Sequence, residues 1–229
     1  MVVPPVPVAV AREQWLNFSE IKFFSALKKD SEELLIIFAK NPVKGKVKTR
    51  LAKEIGDNAA LDIYKFLLNH TFEVTKNLQV DKVIYYAETF LQQDIFDSEI
   101  FRKELQYGQD LGEKMENAFR NAFAKAYKNV VIIGTDLLDI SQRDIEDAFL
   151  QLKKNDVVIG PAKDGGYYLL GMKSLNSKVF KDKVWSTTSV LENTLEDFEN
   201  KNVKLLKSRN DIDVLSDIPG DSELRKYIK

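Results

Sequence analysis

Five cations crowd the stretch FAKNPVKGKVKTRL: Lys40, Lys44, Lys46, Lys48 and Arg50 fall within eleven residues. Charges this close repel one another unless solvent or an anion screens them. Arg50 suits bidentate contact with phosphate, and the lysines act as point charges. The letters suggest a Walker loop, which needs Gly, four residues, then Gly-Lys and Ser or Thr. That reading fails, because Lys40 stands where the first glycine belongs and Val47 follows Gly45-Lys46. No G-x-G-x-x-G is present either. A solvated basic loop is the plainer alternative. The position of the stretch, directly after the apolar run at residues 34–39, favours phosphate binding.

Two further stretches carry carboxylates. In VVIIGTDLLD an apolar run delivers Asp136 through Gly134 and Thr135. A carboxylate there is either a turn or cap residue, or a ligand for a divalent ion that also binds phosphate oxygens, as Mg2+ characteristically does. NDIDVLSD offers a second carboxylate, since alternation in an extended segment puts Asp211 and Asp213 on one side. In GPAKDGGYYLLG, Asp164 precedes Gly165 and Gly166. Asp-Gly is a usual hairpin signal, and a hairpin tip that presents Asp164 could also position an acceptor or provide a base.

Composition removes many other chemistries. The 229 residues contain no cysteine, so disulfides, thiolate nucleophiles and Cys-based zinc sites are excluded. The one histidine, His70, lies in a helical pattern and reads as a surface or partly packed imidazole. With 34 Lys plus Arg against 35 Asp plus Glu, the chain has no overall field to collect nucleic acid or anionic lipid. No apolar run is long enough to span a membrane, and the proline-broken start lacks a basic n-region, so a cytoplasmic location is expected. Residues 1–30 read as an N-terminal extension, partly disordered, with a short helix up to about Ser31. A single domain is expected over 31–229.

The elements that must position these groups alternate. Apolar runs at 34–39, 82–87, 129–134, 156–162 and 203–207 read as strands. Helical patterns cover about 58–78, 111–127, 141–152 with Ser141 as N-cap, and 189–199. That order predicts a three-layer α/β/α sandwich with a mostly parallel sheet. In such sheets ligands sit beyond the carboxyl ends of the strands, where the cationic, carboxylate and glycine-rich stretches converge.

Taken together, FAKNPVKGKVKTRL, GQDLGEKM, IGTDLLDIS, GPAKDGGYYLLG, WSTTSV and DIDVLSD resemble, in order, the nucleotide-diphospho-sugar transferase (GT-A, Rossmann-like) fold. The resemblance is to its small bacterial glycosyltransferase-like proteins, which are related to phospholactate guanylyltransferases and molybdenum-cofactor nucleotidyltransferases. It covers residues 34–217. It implies that Lys40, Lys48 and Arg50 hold phosphates, and that Gly108, Asp110, Leu111 and Gly112 form the nucleobase-side loop. It further implies that Asp136 and Asp213 bind Mg2+ or Mn2+, with Asp164, Gly165, Gly166, Trp185 and Ser186 on the acceptor or sugar side.

Three functions follow as expectations. The first is metal-dependent transfer of a sugar from a nucleoside diphosphate sugar to a small acceptor. There Asp136, Lys48 and Asp164 act in catalysis, with Asp164 able to take the acceptor's proton. The second joins a nucleoside triphosphate to a phosphorylated small molecule with release of pyrophosphate. It needs cationic positioning but little base catalysis. The third is a non-catalytic nucleotide-sugar binder, in which Leu137 and Leu138, where the family tends to carry Cys-Pro, report lost chemistry.

Overall fold

A computed structural model of the chain describes residues 31–91 and 94–228. The expected N-terminal extension, with its short helix, lies outside the described residues. The core of the fold is a sheet whose central strands are β1 (Glu33–Ala39) and β4 (Asn129–Ile133), paired in parallel. Their side chains alternate between two cores. Leu35, Ile37, Val131 and Ile133 enter one, and Leu34, Ile36, Val130 and Ile132 the other. A strand apolar on both faces has no solvent side, which is why these runs show no polar alternation.

Parallel neighbours need crossover connections, and the chain supplies helices for most of them. After β1 come α1 (Thr49–Ile55) and α2 (Asp57–Thr75), then β2 (Asp81–Tyr86) and β3 (Arg102–Leu105). Next is α3 (Leu111–Ala124), leading into β4; α4 (Gln142–Lys154) then precedes β5 (Val157–Pro161). The chain continues through β6 (Tyr167–Met172), α5 (Val190–Asp197) and β7 (Val203–Leu205). Among the described residues the sheet has seven strands in the order β3-β2-β1-β4-β6-β5-β7. Only β6 runs antiparallel to its neighbours, β4 and β5.

The layers follow from helix amphipathicity. Tyr64 and Leu68 of α2, with Ile145, Ala148, Phe149 and Leu152 of α4, pack on one face. Met115, Ala118, Phe119 and Ala122 of α3 pack on the other, where Leu191 and Leu195 of α5 join them. Ser141 caps α4 in a full capping box with Asp144, as its position before the apolar stripe predicts. A third cluster joins Leu51 of α1, Ile63 and Leu67 of α2, and Ile212 and Ile218. This cluster brings the carboxylate segment at 211–213 back across the sheet to the basic loop.

The expected α/β/α sandwich with a mostly parallel sheet is the observed fold. Three of the departures from expectation have a clear physical origin. Thr49–Ile55 is helical where a polar loop was expected, because Leu51 is fully buried beneath it. Arg102–Leu105 forms an edge strand that its polar letters conceal. The helix expected over 111–127 stops at Ala124, and Ala126 adopts φ 60° to turn the chain toward β4.

Candidate active site

The carboxyl ends of β1 and β4 and the start of β6 open on a cleft of about 460 Å³. One wall is cationic. Lys48 precedes α1 with left-handed backbone angles, φ 49° and ψ 43°, and its side chain is only 5% exposed. Its Nζ lies 2.6 Å from Asp136 Oδ1. Arg50, two residues on and largely exposed, pairs with Asp213 through Nη1 at 2.9 Å. Lys40 also lines the cleft. The basic stretch therefore divides: Lys46 turns away to Glu88 at 3.0 Å, and Lys44 is exposed outside the lining.

Two side chains whose roles the sequence did not reveal hold this wall. The Tyr64 hydroxyl accepts from the Lys40 N–H and donates to the Lys40 carbonyl, both at 2.8 Å. Burial first, then the charge of Asp136, pushes its pKa well above the usual tyrosine range, so it stays a neutral staple. Asn41, buried, accepts from Glu88 N–H at 2.9 Å and donates to the Thr89 carbonyl at 2.7 Å. A tyrosine in an otherwise apolar stripe was the only signal for the first. The second had none.

Asp136 follows β4, and its carbonyl accepts from the Ile212 N–H at 3.0 Å, while Leu137 forms an antiparallel bridge with Asp211. This backbone pairing delivers Asp211 and Asp213 to the same cleft, as the expected alternation requires. Asp211 is the more enclosed. Its Oδ1 is buried without a hydrogen-bond partner, and burial, then the nearby charges of Asp136 and Asp164, push its pKa up to about 7 against the pull of Lys48. Asp217 organises the segment by accepting from the Asp213 and Val214 N–H groups and from Asn210. Burial opposes its ionisation, but these bonds hold its carboxyl below the usual range.

Among the described residues no three or more His, Cys, Asp or Glu side chains form a group able to hold a metal ion. Asp136 and Asp213 are each matched by a cation instead. The donor set nevertheless fits an ion that arrives with phosphate, because Mg2+ uses one or two carboxylates and completes its shell from phosphate oxygens and water. The unpartnered Asp211 Oδ1 adds oxygen chemistry beside that pair.

The β5–β6 hairpin forms as expected, with Ala162 N–H donating to the Gly166 carbonyl at 3.0 Å. Asp164 and Gly166 line the cleft, and Asp164 Oδ1 accepts from Gly166 N–H at 2.9 Å. Gly165 lies outside the lining. Its φ is 89°, and a Cβ there would meet the Thr188 carbonyl oxygen at 2.3 Å, so this glycine serves the contact between hairpin and following loop.

Trp185, half-buried, and exposed Ser186 also line the cleft. Gly112 seats the indole: a Cβ at that position would come within 2.7 Å of Trp185 Cζ2. Leu111 lines the cleft, whereas Gly108, Asp110 and Gly112 do not. Asp110 is the N-cap of α3, accepting from Glu113 N–H at 2.8 Å. His70, as expected, is a packed imidazole, with Nε2 2.9 Å from the Ile140 carbonyl.

A mostly parallel sheet with one reversed strand, opening at its carboxyl edge on a cleft of lysine, arginine and aspartate, is the architecture of the nucleotide-diphospho-sugar transferase fold class. Sequence comparison then gives the family. Residues 70–187 match the family described as uncharacterized protein conserved in bacteria (DUF2064), and the chain belongs to it. It is 31% identical over 148 residues to 2-phospho-L-lactate guanylyltransferase of Methanocaldococcus jannaschii, across 62% of this chain and 61% of that one. The chain thus spans about three fifths of that curated relative.

Among solved structures, a Desulfovibrio desulfuricans G20 protein with a provisional nucleotide-diphospho-sugar transferase assignment superposes with a TM-score of 0.75. The two are 30% identical over 86% of this chain and 91% of the other. The 4-diphosphocytidyl-2C-methyl-D-erythritol synthase of Anaerococcus prevotii DSM 20548 gives a TM-score of 0.52 at 12% identity, covering 81% and 93%. That likeness concerns the fold alone. No helix among the described residues is long and apolar enough to cross a membrane.

Proposed function

We propose that this protein is a nucleotidyltransferase that joins a nucleoside triphosphate to a phosphorylated small molecule and releases pyrophosphate. The observation that carries this reading is the gathering of Lys40, Lys48 and Arg50 on one wall of the cleft, with the Lys48 ammonium buried. Two anionic reactants must be brought together there, and fixed cations offset their repulsion most strongly where water is excluded.

In the reaction, an oxygen of the acceptor's phosphate attacks the α-phosphorus. The bond from that phosphorus to the bridging oxygen breaks, and its electron pair leaves with pyrophosphate. Lys48 and Arg50 bind the triphosphate and offset charge developing on the leaving group. Tyr64 fixes the backbone that carries Lys40. The attacking phosphate is already ionised, so no general base is needed. Asp164 fits this economy, since one of its oxygens is spent on its own turn. Asp136 and Asp213 would hold Mg2+ or Mn2+ with phosphate oxygens, and the ion would supply further positive charge to the pyrophosphate.

Glycosyl transfer, the first expectation from sequence, shares this cleft and is the weaker reading. The guanylyltransferase relative supports nucleotidyl transfer, and Asp164, the base expected for a sugar acceptor, is held by its own turn. Leu111 would face the nucleobase, while Asp164, Gly166, Trp185 and Ser186 would face the acceptor. A cytoplasmic setting, with small-molecule partners and no nucleic acid, accords with this chemistry. Calorimetry with Mg2+ tests the reading: triphosphates should bind more tightly than the corresponding diphosphate sugars. Preference for a diphosphate sugar would return glycosyl transfer to first place.

A further inference from the structure

Gln106 follows β3 and lines the cleft where Ala39, Lys40 and Leu111 also meet it. Its backbone continues the strand, the N–H donating to the Tyr86 carbonyl at 2.8 Å. Its side-chain Nε2 donates to the Tyr85 carbonyl at 3.0 Å and the Ala39 carbonyl at 3.2 Å. Both amide hydrogens are thereby used. Turning the amide over would set Oε1 against two carbonyl oxygens, with no proton among the three. The orientation is fixed, and among the described residues no protein donor meets Oε1.

A bare carbonyl oxygen repels phosphate, so this part of the cleft is unsuited to the triphosphate, which belongs with Lys48 and Arg50. It suits a group that brings its own N–H. Phe38, Leu111 and Met115 line the same cleft and give apolar contact, with Leu111 left 43% exposed. A flat heterocycle with apolar faces and a donor on its edge matches both features. Resting on nucleotidyl transfer as the activity, we propose that Gln106 reads the nucleobase, its Oε1 accepting a hydrogen bond from an amino or imino N–H of the base.

A fixed acceptor discriminates by what it leaves unpaired. A base without an N–H at that position would bury Oε1 with no partner, and the loss is of the size of one neutral hydrogen bond, about five- to tenfold in affinity. The test is a cycle between protein and ligand. The unmodified protein and Gln106→Met are titrated with the four common ribonucleoside triphosphates. They are also titrated with purine riboside triphosphate, its pyrimidinone counterpart, and inorganic tripolyphosphate.

The unmodified protein should bind the preferred triphosphate about five- to tenfold more tightly than its N–H-free analogue. Gln106→Met should erase that ratio and leave tripolyphosphate affinity unchanged. The ligand comparison on the unmodified protein stands even if the variant folds poorly. If the natural base and its N–H-free analogue bind equally, the assignment is overturned. Equal weakening of both by Gln106→Met also overturns it, pointing instead to a ribose hydroxyl. If no triphosphate binds the unmodified protein at all, the proposed function fails together with the assignment.

Discussion

Lys48 Nζ lies 2.6 Å from Asp136 Oδ1, and the two are unequally placed: the lysine is 5% exposed and the aspartate 44%. The ammonium is thus committed to the cleft, while the carboxylate can exchange partners with an incoming ion or phosphate. Lys48→Met should lower kcat/KM by about 10²–10³, the usual loss on removing one preorganised donor to a transition-state anion. Steady-state kinetics check this, with circular dichroism to confirm that the variant is folded.

Arg50 and Asp213 form a pair of the opposite kind, 65% and 41% exposed. Solvent screening leaves such a pair worth under about 1 kcal/mol to the fold. Arg50→Gln should therefore leave urea stability within about 0.5 kcal/mol, while weakening triphosphate binding about tenfold and flattening its salt dependence. Equal loss of nucleoside affinity would show the residue to be structural.

Gly165→Ala tests the hairpin. The new Cβ meets Thr188 backbone at φ 89°, which combines left-handed strain with overpacking, about 2–4 kcal/mol together. Tm should fall by about 5–15 °C. Gly166→Ala, whose nearest neighbour is Asp164 Oδ1 at 3.3 Å, should change Tm far less. Equal shifts in thermal unfolding would contradict this account of the turn.

Arg209 ties the loop after Asp136 to α4: its Nη1 pairs with Asp139 at 2.9 Å and its Nη2 with Asp144. Burial works against Asp144 ionisation, but bonds from Ser141 and the Arg209 guanidinium prevail and hold its pKa below the usual value. Stability from a depressed carboxyl is fully present above its unfolded pKa, about 3.9, and is lost as pH falls through the folded value. Asp144→Asn should thus be destabilising at pH 7 and 5, with the difference shrinking near pH 3. Urea unfolding at these three values measures it; a constant difference would mean that the carboxylate's charge is irrelevant.

The sequence made the layers legible because buried parallel strands and amphipathic helices have strong, distinct periods. It also pointed to the rim where site residues meet, since Asp136 and Asp164 stand just past strand ends and Lys48 and Arg50 lie in the connection that follows β1. What it concealed depends on contacts between distant segments. Arg102–Leu105 looks like surface because an edge strand buries little, and Leu51 looks like loop because its burial comes from Ile63 and Ile212. Gln106 was invisible as a candidate because its meaning lies in two carbonyl oxygens, those of Ala39 and Tyr85. Gly165 was legible as part of a hairpin turn and Gly112 only through the resemblance, whereas the contacts that require them, with Thr188 and Trp185 respectively, join distant segments.

The most direct measurement is 31P nuclear magnetic resonance of the protein with Mg2+, a nucleoside triphosphate and a panel of phosphorylated small molecules. The account predicts stoichiometric appearance of pyrophosphate and of a new asymmetric diphosphate diester linking nucleotide and acceptor, both formed about 10²–10³ times more slowly with Lys48→Met. Intact triphosphate throughout, with turnover of a nucleoside diphosphate sugar under the same conditions, would contradict it.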